Sequence, residues 1–537
     1  MTEFQLAQPK ELDAGALFVL KSRGSWLHCG YHLTTAIVGP AVLSLPFTFA
    51  MLGWGAGLLC LTIVAVVTFY SYNLLSIVLE HLDELGQRQL RFRDMATHIL
   101  GPKWGRYYVG PLQFTVCYAA VAVCILLGGQ SLKCWVLQQS WSNGVVEDFV
   151  AVLWNNNQQL AGLCKKRTPD FSHAHAVAAR GFSLFSCLHE PPSGAVVLYN
   201  AATFCEEQPH HGPYACCSCI RLLPGLGAIY LLSTTDEKMM LYEFEVIFGC
   251  LMLILAQIPS FHSLRHVNLI ALVLYLAYSA CALFGSIHVG KSRSTSHKDY
   301  SVSSHGANQM FGIFNAISII ATTYGIGILP EIQATIVPPV KGKMFKGICI
   351  CYVVIATTFF SVAISGYWAF GNQAQSTILS NFIVDGNSLL PKWLLLMTNA
   401  FTLLQVSATT VIYLQPTNEI FEQTFADPTS PQFSTRNIIP RLLSRSFSVV
   451  VATLIAAMFP FFGDIMAFIG AVGIIPLDFI LPMVFYNVTF RPSKRDLIFW
   501  INIAIALVFS ALGVLGTVSS VRQIILDSKT YHLFANV

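Results

Sequence analysis

Eleven apolar stretches recur along the 537-residue chain, separated by shorter polar segments. A helix needs about 20 mostly apolar residues to cross the hydrocarbon core of a membrane. The stretches cover residues 30–51, 54–79, 108–131, 244–259, 267–289, 311–336, 345–370, 391–414, 442–461, 464–487 and 497–519. The pattern therefore predicts an all-α polytopic membrane protein with eleven transmembrane helices, of which the fourth is the shortest.

The polar segments predict how these helices are oriented in the membrane. If the N-terminus is cytosolic, the cytosolic segments hold 18 Lys and Arg residues and the short outside segments hold 6. Cytosolic segments are enriched in positive charge, and only short segments follow this preference. The bias supports eleven spans, with the N-terminus in the cytosol and the C-terminus outside.

The composition agrees with a membrane protein and excludes other classes. Hydrophobic residues make up 54% of the chain and charged residues 11%, whereas soluble domains are about 25% charged. The net charge of +4 gives no sign of nucleic-acid binding. The sequence shows no nucleophile–base pattern, phosphate-binding loop or dinucleotide fingerprint, so we expect neither an enzyme nor a cofactor.

The pattern divides the chain into five regions. Residues 1–28 are predicted to form a cytosolic tail, because charged residues are scattered through them and no long apolar core precedes the first span. Residues 29–133 carry transmembrane helices 1–3, and residues 228–520 carry helices 4–11. Residues 521–537 are predicted to form an extracellular tail. Residues 134–227 fit neither group of helices.

Residues 134–227 hold seven of the 15 cysteines and show no sustained helical or strand period. The tract "PHHGPYACCSC" contains ligand types suited to zinc, namely His210, His211, Cys216 and Cys219. No pair of Cys-x-x-Cys motifs supports a metal site, and we predict none. A disulfide-bonded outside loop is a further interpretation of these cysteines.

The interpretation that we favour is an insertion in an extracellular loop with no role in the fold. Without residues 134–227, Lys133 would continue directly into Ala228 and form a short, ordinary loop. Long structureless insertions argue against a designed element. We therefore hypothesise translated intron sequence, or an error in the gene model.

A Gly-Pro pair interrupts the first apolar stretch, in "AIVGPAVLSLPF" at residues 36–47. Proline removes a backbone donor and clashes with the preceding turn, and lipid has no water to satisfy the freed groups. If the helix unwinds before Pro40, a new half-helix can begin there, since proline is favoured at that position. Its free N–H groups would form an anion site suited to a carboxylate.

The sixth stretch is interrupted in the same way, in "ISIIATTYGIGILPEIQATIVPP" at residues 317–339. These are the first members of two successive sets of five spans, 1–5 and 6–10. Interrupted helices at matching positions of two halves point to a transporter site at the membrane midplane. The alternative is a pair of proline kinks with nothing bound, since proline and glycine are ordinary in membrane helices.

We expect a substrate to bind between the two interruptions. Its carboxylate would meet the N–H groups that follow Pro40, and its ammonium would meet the carbonyls and hydroxyls around Thr323. The predicted substrate-binding residues are Ile37, Val38, Gly39, Pro40, Ala41, Val42, Leu43, Thr322, Thr323, Tyr324 and Gly325.

Three ionisable residues in or beside the spans are candidates for carrying a coupling proton, because such groups are costly in lipid and usually face a pathway. Glu331 either carries the proton or accepts from backbone N–H groups. His32 is either titratable or an interfacial histidine with satisfied bonds, and Asp464 is either a proton carrier or a helix N-cap. Asp478, deeper in the tenth span, is a weaker candidate.

Ser407, Thr409 and Thr410 form a hydroxyl cluster in the eighth span. They either bond to carbonyls of their own helix or line the position at which a related carrier would hold a cation.

Several segments resemble the plant amino acid/auxin permease family, in family order: "WLHCGYHLTTAIVGPAVLSLPFTFAMLGW", "LILAQIPSFHSLRHVN", "GILPEIQATIVPPVKGKMFKGI", "GYWAFGN" and "PFFGDIMAFIGAVGIIPLDFILPMVFYN". The resemblance covers about residues 20–133 and 228–520 and is nearest to plant GABA transporters. It implies a LeuT-like fold and proton-driven uptake of amino acids at the plasma membrane. Substrate contacts would fall at residues 37–43 and 322–327.

The leading hypothesis is therefore a proton-coupled importer of GABA or related small amino acids that works by alternating access. Its partners would be an amino acid, protons and membrane lipid, and no nucleic acid. A non-transporting amino acid receptor on the same fold and an auxin or general amino acid carrier are alternatives. A channel is not favoured, because no charged ring or selectivity-filter run is present.

Overall fold

The computed structural model describes residues 24–140, 240–257, 265–292, 298–302, 306–337, 340–384, 387–427, 429–431 and 433–528. Contacts divide the chain into two units, residues 1–132 with 240–537, and residues 133–239. Everything below concerns the first unit, apart from the end of one helix. The metal-type tract and most of the predicted insertion lie outside the described residues.

The described residues are almost entirely helical. The helices are α1 (Trp26–Ile37), α2 (Leu45–Glu84), α3 (Phe92–Leu100), α4 (Gly110–Ser140), α5 (Leu241–Leu255), α6 (Arg265–Ser292), α7 (Ala307–Tyr324), α8 (Leu329–Ala334), α9 (Lys343–Phe370), α10 (Ile378–Asn381), α11 (Lys392–Phe425), α12 (Thr435–Met458), α13 (Phe462–Phe468), α14 (Leu481–Phe490) and α15 (Leu497–Ser528). A π-helical segment, Ile469–Ile480, joins α13 to α14. Short helical turns at Pro40–Ser44, Pro102–Trp104, Gly105–Val109 and Gly371–Gln373 adjoin them.

Nine helical segments in the described part of the chain are long and apolar enough to cross a membrane. The other two predicted spans fall on shorter helices, α1 with 12 residues and α5 with 15 residues. The first is short because it ends at the Gly-Pro interruption. A mostly helical polytopic membrane protein is confirmed, whereas the exact count of eleven stays a prediction.

Some boundaries differ from those that hydropathy predicts. Helix α4 continues to Ser140, beyond the predicted start of the insertion at residue 134. Helix α15 continues to Ser528, beyond the predicted start of the C-terminal tail at residue 521. Hydropathy marks where a lipid-facing surface ends, whereas a helix continues as long as its backbone bonds are made. A two-residue hairpin, β1 (Ile383–Val384) with β2 (Asn387–Ser388), is the one sheet among the described residues.

The two interrupted spans are joined at one end. Gly24, just before α1, donates from its N–H to the Thr335 carbonyl at 2.8 Å and accepts from Val337 N–H at 3.0 Å. Residues 335 and 337 follow directly after α8. This short bridge ties the chain before the first interruption to the chain after the second one.

Candidate functional site

The first interruption, Val38 and Gly39, is a true break in the helix. Helix α1 ends at Ile37, Gly39 is extended with φ −81° and ψ −175°, and a 3₁₀ turn begins at Pro40. Extended backbone of this kind is open to any residue. Gly39 is therefore not required for the backbone to turn here, and the predicted restart of the helix at Pro40 is confirmed.

Side chains from two other helices satisfy the carbonyls that the first break frees. Tyr413 donates its hydroxyl to the Ala36 carbonyl at 3.0 Å, and Gln405 Nε2 donates to the Val38 carbonyl at 3.0 Å. Tyr278 approaches the Gly39 carbonyl at 3.5 Å. These contacts compensate for the missing backbone bonds, which are expensive to lose away from water.

The second interruption, residues 325–328, separates α7 from α8. Gly325 is extended, with φ −87° and ψ 146°, and Gly327 has a φ of +63°. A side chain is disfavoured at that positive φ, so Gly327 is the position where glycine serves the backbone conformation. Leu329 and Pro330 then begin α8, with proline near its N-terminus as at Pro40.

The side chains of Tyr72 and Asp478 hydrogen-bond to the backbone of the second break. The Tyr72 hydroxyl donates to the Tyr324 carbonyl at 3.0 Å and accepts from Ile326 N–H at 3.2 Å. Asp478 Oδ2 accepts from Ile326 N–H at 2.8 Å and from Gly327 N–H at 2.9 Å. Tertiary contacts thus replace the helical bonds that the break removes.

Both breaks line one cavity, which also contacts α4, α11 and the α13 region. Its volume is about 40 Å³, and about 10–15 Å³ suffices for one water. Of the predicted substrate residues, the cavity is lined by Ile37, Gly39, Pro40, Ala41, Thr322 and Gly325. The others are fully buried and do not line it: Val38, Val42, Leu43, Thr323 and Tyr324.

The two glycines of the cavity wall have different reasons for lacking a side chain. A Cβ at Gly39 would meet no atom within 4 Å, so a side chain there would enter open space. A Cβ at Gly325 would lie 2.0 Å from Ile474 Cγ2 and 2.9 Å from Asp478 Oδ2. Gly325 is thus required by close contact with the segment at 469–480.

The threonine hydroxyls that we expected to face a substrate ammonium are already bonded. Thr322 Oγ1 donates to the Ser318 and Met466 carbonyls at 3.0 and 2.8 Å. Thr323 Oγ1 donates to the Ile319 carbonyl at 2.9 Å. Each hydroxyl retains lone pairs, so these residues can accept a hydrogen bond but have committed their protons.

The three proton candidates lie in separate places. Glu331 is buried in α8, where its Oε1 accepts from Phe92 N–H at 2.9 Å and from Gln113 Nε2 at 2.8 Å. His32 is buried within α1. Asp464 lies in the first turn of α13, where Phe461 is the N-cap, so the N-cap interpretation of Asp464 is wrong. Its assignment as a proton carrier stays a prediction.

The hydroxyl cluster of α11 bonds mainly within its own helix. Ser407 and Thr410 donate to the Leu403 and Val406 carbonyls at 2.8 and 2.7 Å. Thr409 accepts from Gln405 Nε2 at 2.9 Å, and the same amide group reaches the first break. Gln405 thereby links Thr409 to the first break.

Sequence reasoning missed the polar side chains that support both breaks, which are Tyr72, Tyr278, Gln113, Gln405 and Tyr413. Their signal was present, because each is a polar residue inside an apolar span, where such residues usually bond to one another or to backbone. What the sequence lacked was the identity of the partner.

Among the described residues, no cluster of three metal-ligand side chains occurs.

Comparison with known proteins identifies the family. The family model described as "Transmembrane amino acid transporter protein" matches residues 22–150 and 225–526, which is most of the chain. The chain belongs to the transmembrane amino acid transporter family. The transporter is 48% identical to GABA transporter 1 of Arabidopsis thaliana, over 98% of this chain and 96% of that protein.

A more distant relative, like GABA transporter 1, comes from Arabidopsis thaliana. Lysine histidine transporter-like 1 is 26% identical over 99% of this chain and 95% of its own length. Among solved structures, a Na⁺-coupled sialic acid symporter in a substrate-bound outward-open state aligns over 98% of this chain and 94% of its own. Its TM-score of 0.35 and identity of 9% are too low to support an argument about the fold.

These findings confirm the resemblance to amino acid permeases and to plant GABA transporters. The molecule is a multi-pass membrane transporter of the amino acid class, and its family and relatives are not enzymes. The family model leaves residues 151–224 unmatched, and these lie within the predicted insertion. The origin of that insertion stays a prediction.

Proposed function

We propose that this transporter imports GABA and related small amino acids across the plasma membrane, together with protons. The proposed architecture is a LeuT-like 5+5 inverted repeat plus one helix, with eleven transmembrane helices and a cytosolic N-terminus. One observation carries the proposal: the two helix breaks line the same cavity. The predicted spans would place these breaks at matching positions of two successive sets of five. The 48% identity to GABA transporter 1 favours GABA as a substrate.

The substrate carboxylate would bind at the restart of the first helix. Ala41 lines the cavity just after Pro40, and the first N–H groups of a helix have no partners within it. The positive end of the helix adds a favourable field for an anion. The substrate ammonium would bind across the cavity, at backbone carbonyls near Gly325.

The small size of the cavity favours transport by alternating access. Its volume of about 40 Å³ suits a few waters, so an amino acid enters only if the surrounding helices separate. In transporters built from inverted repeats, one bundle rocks against the other around a fixed midplane site. Proton flow inward would bias that motion toward import.

The first test is uptake of radiolabelled GABA and proline in cells that express the full chain, at acid and neutral outside pH. We expect GABA uptake to rise at acid pH and to fall when a protonophore collapses the gradient. Binding of GABA without uptake or current would instead indicate a receptor. Uptake of proline or auxin in preference to GABA would indicate a general amino acid or auxin carrier.

Gly39→Leu tests the site itself. The cavity is open around the Gly39 Cβ position, so a leucine there fills the space that a substrate needs. We expect uptake to be abolished while surface expression remains. Gly312→Leu is the matched control, because a Cβ at Gly312 also meets nothing within 4 Å but lies away from the cavity. Unchanged uptake by Gly39→Leu would contradict the proposed site.

A further inference from the structure

Two buried carboxyl groups flank the second break. Asp478 is fully buried in the π-helical segment Ile469–Ile480, and its Oδ2 accepts from the N–H groups of Ile326 and Gly327. Glu331 is 3% exposed, and its Oε1 accepts from Phe92 N–H and Gln113 Nε2.

Gln113 connects the two carboxyl groups through Gly327. Its Nε2 donates to the Gly327 carbonyl at 2.9 Å as well as to Glu331 at 2.8 Å. Gly327 is therefore held at its N–H by Asp478 and at its carbonyl by the Gln113–Glu331 pair. Because Gly327 lies between α7 and α8, its backbone groups are held by these tertiary contacts rather than by helical bonds.

Each carboxyl group uses only one of its two oxygens. Within the part of the chain that the structure describes, Asp478 Oδ1 and Glu331 Oε2 are buried without a hydrogen-bond partner. The salt bridges found among the described residues include neither group. A buried carboxylate that lacks a cation is stabilised by taking up a proton, and the bare oxygen is where that proton fits.

The ionisable groups around the two carboxyls do not supply a close counter-charge. Those within electrostatic range of Asp478 are Tyr72, Cys117, Tyr352, Tyr413 and Glu331. Those within range of Glu331 are Asp478, Cys117 and Arg93, and Arg93 pairs directly with Glu419 at 2.8 Å.

We propose that Asp478 and Glu331 form a shared proton-binding site that controls the shape of the second break through Gly327. Ionised, the two carboxylates hold Ile326, Gly327 and Gln113 by charge-assisted hydrogen bonds. A proton on Oδ1 or Oε2 turns the bonded oxygen into a neutral acceptor, whose hydrogen bonds are about half as strong. The break then relaxes around the substrate, and the two groups titrate as a pair.

This inference rests on the proposed proton coupling and assigns its site. It places the proton on Asp478 with Glu331, rather than on His32 or Asp464. Asp464 is half-buried in the first turn of α13, near the carboxyl of Asp527 in α15. Substitution of Asp478 or Glu331 is therefore expected to change the pH dependence of uptake, whereas substitution of Asp464 is not.

The test measures GABA uptake against outside pH, and GABA exchange at equal pH, for the full chain and for Asp478→Asn and Glu331→Gln. The protonated fraction of a single site falls about tenfold per pH unit on its alkaline side, so wild-type uptake should show a steep alkaline decline. Both amide variants should keep exchange and lose that decline. Glu84→Gln is the control, since Glu84 is an exposed carboxylate that pairs with Lys341.

The outcomes separate the two proposals. Wild-type uptake that needs sodium and ignores pH and protonophores would overturn proton coupling, and this inference with it. Wild-type pH dependence that survives in both amide variants, or that disappears in Asp464→Asn or His32→Gln instead, would overturn only this site.

A second variant covers a failure of the amide variants to fold. Gln113→Met keeps both carboxyls and removes the link to Gly327. We expect fewer protons to enter per GABA, measured with a pH-sensitive dye in proteoliposomes. An unchanged proton-to-GABA ratio in Gln113→Met would contradict the role of Gly327.

Discussion

At the scale of single residues, the two breaks depend on glycine for different physical reasons. Gly327 serves a positive φ, Gly325 serves a close contact, and Gly39 leaves space in the cavity. Proline at residues 40 and 330 then restarts each helix. Each of the three glycines thus contributes to the pocket in a different way.

The close contact at Gly325 gives a residue-scale prediction. Gly325→Ala places a Cβ 2.0 Å from Ile474 Cγ2, and overpacking of this kind costs about 1–3 kcal/mol. We expect a lower melting temperature in detergent and reduced uptake. Ile474→Ala in the same chain should recover part of the loss.

Gly312→Ala is the matched control for this substitution, because its Cβ would meet nothing within 4 Å. If Gly325→Ala melts and transports like Gly312→Ala, the close contact at 325 does not constrain the fold.

At the scale of elements, buried ion pairs tie the end of α11 to its neighbours. Glu419 pairs with Arg91 at 2.5 Å and with Arg93 at 2.8 Å. Three residues further on, Glu422 pairs with Arg441 at 2.9 Å and with Arg445 at 2.7 Å. Hydropathy alone predicts only a polar helix end here, and the Lys and Arg bias predicts that the arginines are cytosolic.

Removing the carboxylate of Glu422 should destabilise the junction of α11 and α12. Glu422→Gln deprives Arg441 and Arg445 of the charge that they share, and breaking a buried pair costs about 3–5 kcal/mol. We expect a marked fall in thermal stability, measured on the solubilised protein.

The exposed pair of Lys341 with Glu84 provides the comparison for Glu422, with side chains 77% and 52% exposed. Glu84→Gln should leave the melting temperature unchanged, because solvent screens such a pair. Equal effects of the two substitutions would mean that the Glu422 pairs add no more stability than a surface contact.

At the scale of the whole molecule, the transporter unit consists of residues 1–132 and 240–537, and the family model leaves residues 151–224 unmatched. A long loop adds little entropic cost to closing a fold. The division of the chain into two units and the unmatched segment are both consistent with the predicted insertion.

Deletion of residues 151–224 should leave a transporter that reaches the plasma membrane and takes up GABA at least as well as the full chain. The reason is that the deleted residues lie outside both blocks matched by the family model. Uptake per molecule at the cell surface is the measurement.

A deletion variant that is retained inside the cell would show that the insertion contributes to folding. Sequencing of the transcript complements this test. A message that carries the segment in most copies would contradict the intron hypothesis.

The sequence by itself determined the class of this protein, most of its spans and both breaks, because hydropathy, Gly-Pro pairs and family motifs are local features of the chain. Only the tertiary structure decided what holds the breaks open. Val38 bonds to a glutamine 367 positions away, and Ile326 bonds to an aspartate 152 positions away. Such partners meet only when helices pack, so no local pattern specifies which buried polar group satisfies which freed backbone group.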